Sequence, residues 1–141
     1  MQLKNIRDLD TRKVLKKLNL IIPAQQAKLG PPVGPVLGQV KIKVKDFCLI
    51  FNEATTQFKQ GLPLPVSVFV FKNETFSFLI RTPSMSFLLK NIIAINGNNQ
   101  VTLLDLYKIF LIKRLDFDHL SSMVIFKSVL NHAKVLKIKI I

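Results

Sequence analysis

Residues 29–39, reading LGPPVGPVLGQ, limit this chain's folding options more than any other stretch. Proline holds φ near −65° and lacks an N–H, and it pushes the residue before it toward extended backbone. Pro31 and Pro32 therefore predict an extended, rigid elbow over residues 29–33, not a helix or strand interior. Pro35 suits the first position of a short helix running to about Gln39. Gly30, Gly34 and Gly38 bracket the elbow with positions that permit positive φ or close approach of another surface. So stiff a corner, with so few side chains, is more than a connector.

Around the elbow the pattern alternates between strand and helix. Residues 14–22 read as a strand closed by Pro23. Residues 45–58 place Phe47, Phe51, Ala54 and Phe58 at helical spacing, with Gly61, Pro63 and Pro65 ending the element. Residues 66–71 are β-branched and aromatic. A turn at Asn73 and Glu74 leads into residues 75–81, where Phe76, Phe78 and Ile80 share a face.

From Thr82 on the period becomes helical. Thr82 is placed to cap a helix starting at Pro83, with Met85, Leu88, Leu89 and Ile92 as its buried stripe. Asn96, Gly97, Asn98 and Asn99 form a loop. Thr102 with Asp105 reads as a capping box opening a second helix to about Lys113. Asp118 is placed to cap a third helix, with Leu120, Met123, Leu130 and Ala133 inward. The expected class is α+β: an extension over residues 1–13, an N-terminal α+β domain over 14–81, and a C-terminal three-helix domain over 82–141.

Charge narrows the function. The chain carries 21 basic and 8 acidic residues, a net +13, which favours a polyanionic partner and leaves few carboxylates for acid–base catalysis. Cys48 is the lone cysteine and lies in an apolar helical pattern, which makes it a small buried hydrophobe. His119 and His132 are too isolated for a metal site. The elbow lacks the Lys-Ser/Thr ending of a phosphate loop, and its prolines remove amides a phosphate needs. The reading is therefore no enzyme, no cofactor, no metal and no small-molecule substrate. No apolar run reaches the roughly 18 residues needed to span a bilayer, and residues 1–20 make a poor secretory signal and an imperfect transit peptide.

Four segments in order, GPPVGPVLGQ, DFCLIFNEAT, GLPLPVSVFVF and ETFSFLIRTPSMSFLLK, resemble the bacterial and organellar type of the large-subunit ribosomal protein eleven (L-eleven) family, over residues 18–136. The resemblance implies a C-terminal three-helix domain on the GTPase-associated region of large-subunit rRNA. It also implies a mobile N-terminal domain facing stalk ribosomal proteins, elongation factors and other translation-factor GTPases. It places rRNA contacts at Thr82, Pro83, Lys90, Asn96, Gly97, Asn98, Asn99, Lys127, Asn131, His132, Ala133 and Lys134. Pro31, Pro32, Pro35 and Gln39 would line a cleft open to factors and thiopeptide antibiotics.

The RNA-binding half departs from the family pattern. The loop after the first C-terminal helix is cut to residues 96–100. The last-helix motif G-T-A-R-S-M-G appears as Asn131-His132-Ala133-Lys134-Val135-Leu136-Lys137, and Gly-Val-Asn-Ile appears as Lys41-Ile42-Lys43-Val44. Abundant Phe, Ile, Asn and Lys, with little Gly, Ala and Arg, is the bias of an AT-rich genome. It points to an organelle-encoded protein of the mitochondrial ribosome, with a plastid or bacterial cytoplasm as alternatives. A homeodomain-like DNA-binding protein and a peripheral membrane protein are the rival readings; the first leaves the elbow unexplained, and the second needs a basic amphipathic helix.

Overall fold

The computed structural model describes residues 14–141 except Asn73; the extension expected over residues 1–13 lies outside them. The architecture is α+β, and the chain divides into two compact units between Arg81 and Thr82.

The N-terminal unit is an antiparallel sheet, order β1-β2-β3, with two helices. Strand β1 (Val14–Pro23) pairs with β2 (Pro63–Phe71), and β2 with β3 (Phe76–Ile80). Between β1 and β2 come the short helix α1 (Val33–Gly38) and the longer α2 (Val44–Ala54). One sheet face carries Leu18, Leu20 and Ile22, then Val66, Val68 and Val70, then Phe76, Phe78 and Ile80, and packs with the helices. Phe47 is fully buried, its ring centroid 5.6 Å from both Phe76 and Phe78 and 5.8 Å from Phe51. Cys48 is buried as expected, and burial raises its thiol pKa.

Several local expectations shift. The elbow is not extended through Val33: the Pro31–Pro32 peptide is cis, and Pro32, at φ −87° and ψ −7°, is already the N-cap of α1. Pro35 therefore sits inside the first turn and not at its first position. Proline's ring sets φ in the helical range, so the pair launches the helix as readily as it would block one. Of the bracketing glycines only Gly34 is sterically required, because a Cβ there would overlap the Leu29 carbonyl oxygen. Gly30 and Gly38 have open space around that position and no positive φ.

Helix α2 stops four residues short of the expected end. Thr55 is fully buried and donates its hydroxyl back to the Phe51 carbonyl (2.9 Å), while Gln25 Nε2 donates to the carbonyls of Thr55, Thr56 and Phe58. A side chain thirty residues upstream thus takes carbonyls that another helical turn would have used. Ala54, expected inward, is exposed, and Thr55 is buried instead. Strand β2 includes Pro63 and Pro65, read from the sequence as terminators. They are tolerated because the β3 ladder begins only at Val66, leaving the proline end of β2 bonded to β1.

The C-terminal unit holds α3 (Met85–Asn96), α4 (Leu103–Arg114) and α5 (Ser122–Val135) around Leu89, Leu106, Ile109, Ile125, Val129 and Ala133. The capping box on α4 is present: Asp105 N–H donates to Thr102 Oγ1 (3.2 Å), and Thr102 N–H donates to the Asp105 carboxylate. The other two caps differ from expectation. Ser84, not Thr82, caps α3, accepting from Phe87 N–H. Ser121, not Asp118, precedes α5, and Asp118 is exposed. Of the residues expected inward, Leu130 and Ala133 pack in the core beside Ile125 and Val129, while Leu120, ahead of the helix, and Met123, in its first turn, face solvent. The sequence reading also missed a two-residue parallel ladder of β4 (Gln100–Val101) with β5 (Lys139–Ile140).

Candidate nucleic-acid interface

Helix α5 has an apolar side, Ile125, Val129 and Ala133, and an opposite side bearing Lys127, Asn131 and Lys134 at i, i+4 and i+7. All three polar residues are exposed. His132, beside that face, is half-buried, its Nε2 hydrogen-bonded to Ser86 Oγ on α3 at 2.9 Å. Lys90 stands one helical turn beyond Ser86 and is exposed. This bond ties α3 to α5 beside the exposed lysines that both helices carry.

The loop joins the same assembly. Helix α3 ends at Gly97 in the left-handed region, φ 68°, where glycine has no Cβ penalty. Asn96 Nδ2 donates to the Gln100 carbonyl, Asn99 Nδ2 to the Lys137 carbonyl (3.1 Å), and Lys139 N–H to the Asn99 carbonyl. These bonds and the β4–β5 ladder tie the shortened loop to the chain leaving α5. Asn96, Gly97, Asn98 and Asn99 stay exposed beside Lys137 and Lys139.

The acids of this unit lie elsewhere. Asp105 opens α4, Asp116 and Asp118 follow it, and neither α3 nor α5 contains a carboxylate. Asp105 has its pKa lowered, first by the Thr102 hydroxyl, against the upward push of burial. Asp116 accepts from Thr82 N–H and from Thr82 Oγ1 (2.6 Å), and it pairs with Lys113 Nζ at 3.5 Å. The cationic α3–α5 face is therefore not internally neutralised.

Three predicted contact residues do not present side chains to a ligand. Thr82 is buried in the Asp116–Lys113 cluster, Pro83 is buried, and Ala133 is in the core with no exposed surface. They support the surface from beneath. Asp116 follows α4 by sequence but reaches back to the start of the unit, and no local pattern announces that.

In the N-terminal unit Pro31, Pro32, Pro35 and Gln39 are all exposed, while Val33 and Leu37 between them are fully buried. The corner is thus nailed to the core through alternate residues. Its leading end is held by Asn52 on α2, which accepts from Ala27 N–H (2.9 Å) and donates to the Ala27 carbonyl (3.2 Å). The sequence reading passed over Asn52, Gln25 and Ser86. Asn52 could have been found as a helix polar group opposite a chain short of backbone donors; Gln25, in the turn after β1, carries no such signal.

Among the described residues no group of side chains could hold a metal, and no helix is long and apolar enough to cross a membrane. Residues 18–76 match the family model described as ribosomal protein L11, N-terminal domain. Over 85 residues the chain is 44% identical to the large ribosomal subunit protein uL11 of Rickettsia massiliae and of Rickettsia akari, and 42% identical to that of Rickettsia prowazekii. Each match covers 60% of this chain, and the chain spans 59% of the length of these relatives. Gly34, the buried Val33 and Leu37 and the clamping Asn52 all lie in the stretch that the family model matches, and over residues 18–76 the chain is similar to the N-terminal domain of ribosomal protein L11.

Proposed function

We propose that this chain is a non-enzymatic constituent of the large ribosomal subunit. Its C-terminal unit binds the GTPase-associated region of large-subunit rRNA. Its N-terminal unit offers the corner of Pro31, Pro32, Pro35 and Gln39 to translation-factor GTPases and stalk proteins. The observation that carries the reading is the acid-free face on which Lys90, Lys127, Asn131 and Lys134 stand beside the loop at residues 96–99. Folded RNA is recognised mainly by shape, backbone and 2′-hydroxyl contacts, for which lysines, an asparagine and a loop rich in backbone donors are suited. Residues 81–83, between the units, would serve as the joint that lets the N-terminal unit reposition when a factor arrives. The compositional bias favours the mitochondrial ribosome, and the bacterial relatives are compatible with a bacterial one.

Filter binding to the folded rRNA fragment, against duplex DNA of equal length, tests the reading. Lys127→Ala with Lys134→Ala should flatten the plot of log affinity against log salt by about 1.4–1.8, two phosphate contacts' worth. Preference for the duplex, or an unchanged slope, would refute it. The shortened loop and the loss of the first small residue of the last-helix motif should leave wild-type affinity below that of a Rickettsia relative at matched salt.

A further inference from the structure

The N-terminal sheet has a second face, away from α1 and α2. Across it the ladders align Lys17 with Phe69 and Ser77, then Asn19 with Ser67 and Leu79, then Ile21 with Pro65, whose carbonyl accepts from Arg81 N–H. A shallow cleft of about 360 Å³ lies here, lined among others by Lys17, Asn19, Ile21, Pro65, Ser67 and Arg81. Among the described residues no carboxylate lines it.

The unit's other cleft, about 550 Å³, makes the contrast. There Lys41 and Lys43 share the lining with two acids, Asp46 and Glu74, so the cleft holds both signs of charge. With Glu53 on α2, these account for every acid of the described N-terminal residues, and none is on the open sheet face. Lys17 and Arg81 are exposed and form no ion pair among the described residues. Ser67 Oγ donates to Asn19 Oδ1 (2.9 Å), so the Asn19 amide presents its N–H donors without a partner among the described residues.

We infer that this open sheet face is a second RNA contact, seating a stretch of phosphodiester backbone between Lys17 and Arg81 with Asn19 as a neutral donor. The inventory is that of phosphate and sugar contacts, which position a nucleic acid without reading its sequence. Base stacking is excluded by the ring that might have supplied it. Phe69 is 9% exposed and covered by the Lys17 ammonium, 5.6 Å from its centroid. The contact is consequently salt-sensitive and indifferent to sequence. It belongs to the N-terminal unit and does not depend on the α3–α5 face.

The test is salt-dependent binding of the full chain to a large-subunit rRNA transcript. Lys17→Met keeps the methylene stem over Phe69, and Arg81→Gln keeps a polar terminus. The pair should lower the slope of log affinity against log salt by about 1.4–1.8. Lys41→Met with Lys43→Met, in the cleft that also holds Asp46 and Glu74, should leave it nearly unchanged. Asn19→Asp retains the acceptor for Ser67 and adds an anion, and should weaken binding at low salt while thermal unfolding stays put. An unaltered slope in the Lys17/Arg81 variant would overturn the inference and leave the face to an acidic protein surface. Equal losses in both lysine pairs would overturn it as well, by reducing it to net charge. Failure of the Lys127/Lys134 variant alone would instead count against the C-terminal site.

Discussion

A glycine-to-alanine series through the elbow tests whether the corner is a packed object or a loose connector. In an unobstructed helix alanine is favoured over glycine by about 1 kcal/mol. At Gly34 that gain meets an obstruction: the new Cβ would overlap the Leu29 carbonyl oxygen, and Gly34 N–H already donates to the Gly30 carbonyl at 3.1 Å. The obstacle is backbone held by prolines, so it cannot rotate aside as a flexible side chain would. Overpacking costs typically 1–3 kcal/mol, and a rigid neighbour argues for the upper part of that range, leaving Gly34→Ala destabilised by about 1–2 kcal/mol net. For a unit of about 70 residues the unfolding entropy is near 0.14 kcal/mol/K, so the midpoint should fall by about 7–14 °C. Gly30→Ala and Gly38→Ala meet open space at negative φ. Each should gain about 0.4–1 kcal/mol by restricting the unfolded chain, a rise of about 3–7 °C. Thermal unfolding followed by NMR on the Phe47 and Phe51 resonances isolates the N-terminal unit. A Gly34→Ala variant melting at or above wild type would refute the reasoning, as would Gly30→Ala falling alongside it.

Two other substitutions probe local devices. Lys41 occupies the left-handed region, φ 57°, where the family pattern has glycine, and an L-residue there carries a cost of roughly 1–2 kcal/mol. Against glycine's extra unfolded-state entropy, Lys41→Gly should stabilise by up to about 1 kcal/mol, read as a higher urea midpoint at constant slope. Thr102→Ala removes the hydroxyl of the α4 capping box and should cost the C-terminal unit about 1 kcal/mol. That deficit should depend on pH. Asp105 has its pKa lowered from 3.8 in the folded chain, so its stabilisation is present above the ordinary carboxylate range and lost as pH falls through the lower folded value. The gap between wild type and Thr102→Ala should accordingly shrink on acidification, and a gap constant from pH 7 to pH 2 would refute the assignment.

The parts of this fold legible in the sequence are those set by period and by local chemistry. Alternation at Phe76, Phe78 and Ile80 gave a strand face, and the Thr102–Asp105 spacing gave a capped helix, because both signals lie within a few residues of what they control. The errors share the opposite property. Helix α2 ends where it does because Gln25 takes the carbonyls of Thr55, Thr56 and Phe58 just past its last residue, and Thr82 is not a cap because Asp116 takes both its hydroxyl and its amide. The ladder of β4 with β5 joins residues about forty positions apart, each run too short to carry a pattern. The candidate site was legible by type and only partly by placement: Lys127, Asn131 and Lys134 are exposed as one face, while Ala133, one position away, is core.

The Thr82–Lys113–Asp116 cluster shows why the boundary falls between Arg81 and Thr82. A buried ion pair offers little net stability, since desolvation offsets most of the attraction. Its three groups leave few alternatives in geometry: the carboxylate accepts the Thr82 amide and hydroxyl, and the Thr82 carbonyl lies 3.5 Å from the Lys113 ammonium. Thr82 is held by amide, carbonyl and side chain at once, all by residues at the end of α4. Arg81, one residue earlier, is bonded instead to β2 through its amide. Adjacent residues are thus bonded within different units, Thr82 to the end of α4 and Arg81 to β2. The Arg-Thr-Pro run suggests a boundary from sequence alone; the buried polar cluster accounts for its falling between Arg81 and Thr82.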